Sequence, residues 1–132
     1  MKPDLAGLTK LAQELSKVPP KEFDMGTWWS KSSCGTAGCI AGYAATYFPS
    51  RFKKVVDTDF ASEGLTEYQV IHRRTGRHGS EAFADGFHIS EEDAEELTLP
   101  LWKDKPEPKT PKQAAKRVMA LVGRLKKELA SK

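Results

Sequence analysis

Leu5, Leu8, Leu11, Ala12, Leu15 and Val18 recur at helical spacing, so residues 4–18 are predicted to form an amphipathic helix. Asp4 stands where an N-cap belongs, and Pro19-Pro20 ends the helix. A second stripe, Val118, Leu121, Val122, Leu125 and Leu129, predicts a closing helix over 112–129. Its outer face carries Lys112, Lys116 and Lys127, with Arg124 nearby. Between these two helices the pattern changes. From Thr36 to Phe48 no residue is charged, and a helix that is small or apolar on every side is buried on every side. This run, stopped by Pro49, is predicted to be the central helix. Gly38 and Gly42 lie four apart within it, as do Ala41 and Ala45, so neighbouring elements can approach its backbone closely. The aromatic stretch Phe23 to Trp29 is irregular, and its large side chains plug the core.

Residues 51–79 are the least helical part. Tyr68-Gln69-Val70-Ile71-His72 has strand composition, with Val55-Val56 as its partner and turns at Thr75-Gly76 and His78-Gly79. Ser80 is a candidate cap for a brief helix bearing Ala82, Phe83 and Phe87, broken near Gly86. Ser90, with Asp93 three residues on, opens another helix through a capping box, and Ile89 is set to staple onto Ala94. The proline-rich stretch 100–111 reads as an extended connection. The expected fold is mainly α (α+β): one small helical domain over residues 1–132, around a buried central helix, with a short β-hairpin.

Composition agrees with a folded globular domain: of 132 residues, 39% are hydrophobic and 30% charged. No apolar run approaches the roughly 18 residues of a membrane span, and Met1-Lys2-Pro3-Asp4 lacks the character of a secretory signal. In one helix, Cys34 and Cys39 would stand about 7.5 Å apart along the axis, too far for a disulfide. Reduced thiols and a cytoplasmic location are expected. A net charge of +3 is too small to argue for nucleic acid, but its distribution is uneven. Residues 81–96 hold seven acids and no Lys or Arg, whereas residues 109–127 hold seven bases and no acid. Such blocks form solvated helix faces, or elements that attract each other within the fold.

The phrase Phe23-Asp24-Met25-Gly26-Thr27-Trp28, followed by Cys34-Gly35-Thr36 and Cys39-Ile40-Ala41-Gly42, resembles a group of small uncharacterised phage, prophage and bacterial proteins. In that group a leading helix with a Pro-Pro-type stop precedes an F-M-W phrase and then a CGT-x-x-C-x-x-G phrase. An A-x-x-F helix, an acidic S-x-x-E-A helix and a closing P-x-x-A-x-R helix follow. Here the later segments are Ala82 to Phe87, Ser90 to Ala94, and Pro111 to Arg117. The resemblance spans most of the chain and implies an origin in mobile elements, but no activity.

Three chemistries compete for the remaining signals. Cys34, just ahead of the expected central helix, would gain nucleophilicity from the helix N-terminus, as in papain-like hydrolases, with His72 as base and Asp57 or Asp59 orienting it. Its Cys-Gly phrase is loosely similar to that of bacteriocin-processing cysteine peptidases, which set the second cysteine one residue closer. The simpler reading makes Cys34 a small buried residue at a tight turn. Zinc on Cys34, Cys39 and two of His72, His78 and His88 does not fit the usual ligand spacing, so no metal and no cofactor is expected. Nucleic-acid contact would use Arg73, Arg74, Arg77 and His78 with Lys112, Lys116, Arg124 and Lys127, but without a recognised reading motif it would be weak. The expectation is therefore a non-enzymatic phage-type accessory protein, a possible inhibitor, that binds a host or defence macromolecule, with a host or defence protein as partner. A cysteine-dependent hydrolase using Cys34 and His72 is the alternative, and a weak nucleic-acid binder the third reading.

Overall fold

Asp4 caps the first helix: its carboxylate accepts the Gly7 N–H at 2.9 Å, and α1 runs Leu5–Leu15 with Leu8, Leu11, Ala12 and Leu15 buried. The closing helix α5 spans Pro111–Ala130, capped by the Thr110 hydroxyl and started by a proline with no N–H to leave unpaired. It packs along α1 through Ala114, Val118, Leu121, Val122 and Leu125, the stripe expected from its spacing. This computed structural model describes residues 2–32, 35–57, 65–99 and 107–131.

The uncharged run divides where the sequence suggested one helix. Gly35–Gly38 is a strand, and the helix α2 begins only at Ile40, ending at Tyr47. The cause is tertiary. Gly35 to Gly38 pair antiparallel with Ser32 to Trp29, and a Cβ on Gly38 would come within 2.5 Å of the Trp29 ring. The strands are β1 (Trp29–Ser32), β2 (Gly35–Gly38), β3 (Phe52–Val56) and β4 (Leu65–His72), in the antiparallel order β2-β1-β4-β3. The expected pairing of Val55-Val56 with the 68–72 strand is present, Val56 opposite Tyr68, but it forms half of a four-stranded sheet.

Residues Ile40 to Ala45 of α2 are all buried, so it is the central helix that its composition demands. A Cβ on Gly42 would meet the Trp28 carbonyl oxygen at 1.9 Å, the close backbone approach anticipated from the glycine spacing. Helix α3 (Gly79–Phe87) has His78 rather than Ser80 at its N-cap position, with no side-chain cap bond, and the Ser80 hydroxyl bonds that of Thr98 at 2.7 Å. Gly86 does not break it. Phe52 packs where a side chain at Gly86 would stand, and Phe87 lies 4.8 to 5.8 Å from the rings of Phe83, Phe48 and Phe52. Helix α4 (Glu91–Thr98) begins as expected, with the Ser90 hydroxyl accepting the Asp93 N–H.

Candidate functional site

Cys34 lies outside the described residues. The physical premise for activating it changes nonetheless, because β2 stands between position 34 and the helix, whose N-terminus falls at Cys39. Cys39 is itself 1% exposed and free, and its thiol donates to the Trp28 carbonyl oxygen at 3.8 Å. Burial pushes that thiol up to about 11, outweighing the N–H groups of α2's first turn. It is a core residue.

His72 stands at the end of β4 opposite Phe52. Ser32, next but one to Cys34 in the chain, pairs with Leu65 at the other end of that strand, about 23 Å away along seven residues. Nor does Asp57 orient His72. Its carboxylate accepts from Gln69, whose carbonyl oxygen meets His78 Nδ1 at 2.9 Å; Asp59 lies outside the described residues. The partners of His72 come instead from the turn and α3: the Thr75 N–H donates to Nδ1 at 3.2 Å, and the Thr75 hydroxyl donates to Asp85 at 2.7 Å. Burial lowers the His72 pKa; Asp85 opposes that, while Arg74 and His88 reinforce it. Among the described residues no group of three or more His, Cys, Asp or Glu converges as metal ligands do.

The seven bases singled out by sequence divide into two groups. Three have structural work. Arg73 Nε donates to the carbonyls of Pro49 and Phe52, pinning the turn before β3 to the end of β4. Arg77 gathers Glu81, Asp85 and Glu91, so the first acids of α3 and α4 share one guanidinium. Arg124 reaches from α5 to Asp93 at 2.8 Å and Glu96 at 3.0 Å on α4. The acidic and basic blocks thus meet through Arg124 at the α4–α5 surface. Arg74, Lys112, Lys116 and Lys127 have no carboxylate within ion-pair distance among the described residues.

Lys112 and Lys116 flank a groove of about 430 Å³ between α1 and α5. Its walls are Thr9, Ala12 and Gln13 on α1 with the C-cap Ser16, facing Ala115 and Met119 on α5. The trough exists because Ala12 and Ala115, small side chains at the helix contact, leave the longer residues around them standing proud. Its hydroxyls are already satisfied: Thr9 donates to the Leu5 carbonyl at 2.8 Å and Ser16 to that of Gln13 at 2.7 Å. An occupant therefore meets an apolar floor between lysines. Met119, 41% exposed, is an adaptable thioether at its end. Sequence reasoning marked the lysines but missed Met119 and the α1 wall. One signal was present, an apolar residue one position off the buried stripe of α5.

A lysine with a depressed pKa is also present, pushed down to about 8 by burial at Lys54. It donates to the Thr46 hydroxyl at 2.6 Å, and its charged form is favoured by the Trp29 ring 3.5 Å away, so it seals the sheet edge against α2. No helix among the described residues is long and apolar enough to cross a membrane. Compared with protein-family models, curated proteins and solved structures, the chain finds no match.

Proposed function

We propose that this is a non-enzymatic accessory protein of phage type that acts in the cytoplasm by binding a host or defence protein, and that the α1–α5 groove is where it binds. The observation that carries this reading is the combination of an apolar trough, an exposed Met119, and Lys112 and Lys116 without ion-pair partners among the described residues. Thr9 to Ser16 and Lys112 to Met119 each cover two helical turns, about 10 Å, which matches the grip of two adjacent helices on a third. The fitting occupant is an amphipathic helix with an apolar stripe for the trough and acids to meet the two lysines. The resemblance to proteins of mobile elements supports the biological setting, and the free thiol of Cys39 suits a reducing compartment. The internal engagement of Arg73, Arg77 and Arg124 favours a protein partner over nucleic acid, since three of the bases available for phosphate are already satisfied.

A photo-crosslinking residue at Met119, in protein expressed in a bacterial host, tests the reading. One discrete protein adduct is expected, abolished by Lys112→Glu with Lys116→Glu and absent when the crosslinker replaces Val55 on the sheet. Adducts that form equally at both positions, survive the charge reversals, or dissolve on nuclease treatment would overturn it.

A further inference from the structure

His72 and Arg74 border a second recess, separate from the groove and unused by the reading above. Its volume of about 630 Å³ lies within the range of small-molecule sites. Three parts of the chain meet there: residues 2–4, the turn after α2 that carries Arg51, and the adjoining ends of β4 and α3.

Two carboxylates line the recess, yet both are satisfied from within the protein. Asp4 accepts the Gly7 N–H at 2.9 Å and Arg51 Nη1 at 2.6 Å; Asp85 accepts the Thr75 hydroxyl at 2.7 Å and faces Arg77 at 3.4 Å. Charge is then unbalanced. Asp4 offsets Arg51, and Asp85 shares Arg77 with Glu81 and Glu91, while Lys2 and Arg74 have no carboxylate within ion-pair distance among the described residues. Three cations and two carboxylates line the recess, so it is net positive by one charge, and Lys2 and Arg74 are its unpaired cations.

The remaining donors are fixed in place. Arg51 donates through Nη1 to Asp4 and to the Gly86 carbonyl, and its plane lies over Phe48 and Phe87 at 4.8 and 5.4 Å. Those bonds leave Nε and Nη2 of a rigid guanidinium without a partner among the described residues. At His72, the Thr75 N–H on Nδ1 sets the hydrogen of the neutral ring on Nε2, which has no partner among the described residues. The ring is 7% exposed and borders the recess.

His88 adds an independent sign. It follows α3 in the left-handed conformation, φ 55 and ψ 47, where helices favour glycine. The Ile89 N–H still closes the helix end on the Ala84 carbonyl at 3.2 Å, a bond that glycine would serve better. An imidazole stands where glycine would be less strained, and it lines the same recess.

We propose that this recess binds the phosphate group of a small phosphomonoester, with Arg51, Arg74 and Lys2 taking the phosphate oxygens and His72 and His88 bounding the site. A phosphate group offers three oxygens, one for each of Lys2, Arg51 and Arg74, whereas a carboxylate offers two. A small ligand fits better than a polyanion, because Arg73 and Arg77 beside the recess are engaged internally and provide no basic track leading away from it.

Calorimetric titration of the full chain with ribose 5-phosphate, ribose, inorganic phosphate and a short single-stranded oligonucleotide tests this. Ribose 5-phosphate and inorganic phosphate should bind and ribose should not. Arg74→Glu and Lys2→Glu, both at exposed positions, should each weaken phosphate binding about tenfold or more, the loss of a charge-assisted contact. His88→Gly is the decisive variant: it should raise the melting temperature while weakening phosphate binding roughly three- to tenfold. If that variant raised the melting temperature and left binding unchanged, His88 would be structural and the site wrongly drawn. No heat from either phosphate compound at about 5 mM would overturn the proposal. So would oligonucleotide binding that is tighter than that of ribose 5-phosphate, salt-steep and dependent on Arg74.

Discussion

At Cys39 two effects on one thiol oppose each other. The first turn of α2 presents its N–H groups, which favour a thiolate, but the sulfur lies in the core and burial prevails, raising its pKa to about 11. With Cys34 changed to Ser, alkylation of Cys39 by iodoacetamide at pH 7.5 should run on the order of a hundredfold slower in the native protein than in urea, followed by mass spectrometry. Cys39→Asp should cost more than about 3 kcal/mol, since it buries a carboxylate in the core with no cation beside it among the described residues. His72 makes the second case. Its folded pKa is lowered from 6.5, chiefly by burial, so the unfolded chain binds the proton more readily. Stability is therefore lost as pH falls through 6.5 toward the lower folded value. Urea melts at pH 7.5, 6.5 and 5.5 should show a shallower decline for His72→Gln than for the parent. Asp4 acts lower on the scale. Although burial alone would raise its pKa, the Gly7 N–H and Arg51 lower it below 3.8, so its contribution is present above 3.8 and disappears as acid protonates it.

Among the elements, the glycines of α2 and α5 separate two kinds of helical glycine. At Gly42 an added methyl group would run into the Trp28 carbonyl oxygen at 1.9 Å, a backbone atom that cannot swing aside. At Gly123, in the interior of α5, the same methyl group meets nothing within 4 Å. Gly42→Ala should thus cost more than about 2 kcal/mol through overpacking, while Gly123→Ala should add roughly 0.5–1 kcal/mol through helix propensity. Chemical denaturation of both variants checks the pair, and equal effects would contradict the packing described for α2. Helix α1 was legible from cap and periodicity together, α4 from the Ser90 cap and α5 from its apolar stripe; the Thr110 cap of α5 emerged only in the structure. Strands β1 and β2 were not. Trp29-Ser30-Lys31-Ser32 and Gly35-Thr36-Ala37-Gly38 carry no strand-like alternation; β1 is a strand because the distant β4 pairs with it, and β2 because β1 stands beside it.

For the molecule as a whole, the opposed charge blocks become internal structure. Arg124 joins α5 to Asp93 and Glu96 of α4, and Arg77 collects acids from α3 and α4. These groups remain partly exposed, so each pair contributes little. A double-mutant cycle between Arg124→Ala and Asp93→Ala should give a coupling of about 0.5–1 kcal/mol that shrinks in 1 M salt. A salt-insensitive coupling above that range would mean the pair is desolvated. Sequence by itself determined the helical class, the outer helices, the buried central helix and the unusual charge segregation, because periodicity, caps and absence of charge act locally. Tertiary structure decided the rest. It turned Gly35 to Gly38 from helix into strand, since a partner strand supplied their hydrogen bonds. It removed Arg73, Arg77 and Arg124 from the pool of free bases, because only folding reveals which carboxylates and carbonyls stand within reach. And it brought Lys2, Arg51, His72 and His88, far apart in the chain, around one recess whose net charge follows from pairings that no local pattern encodes.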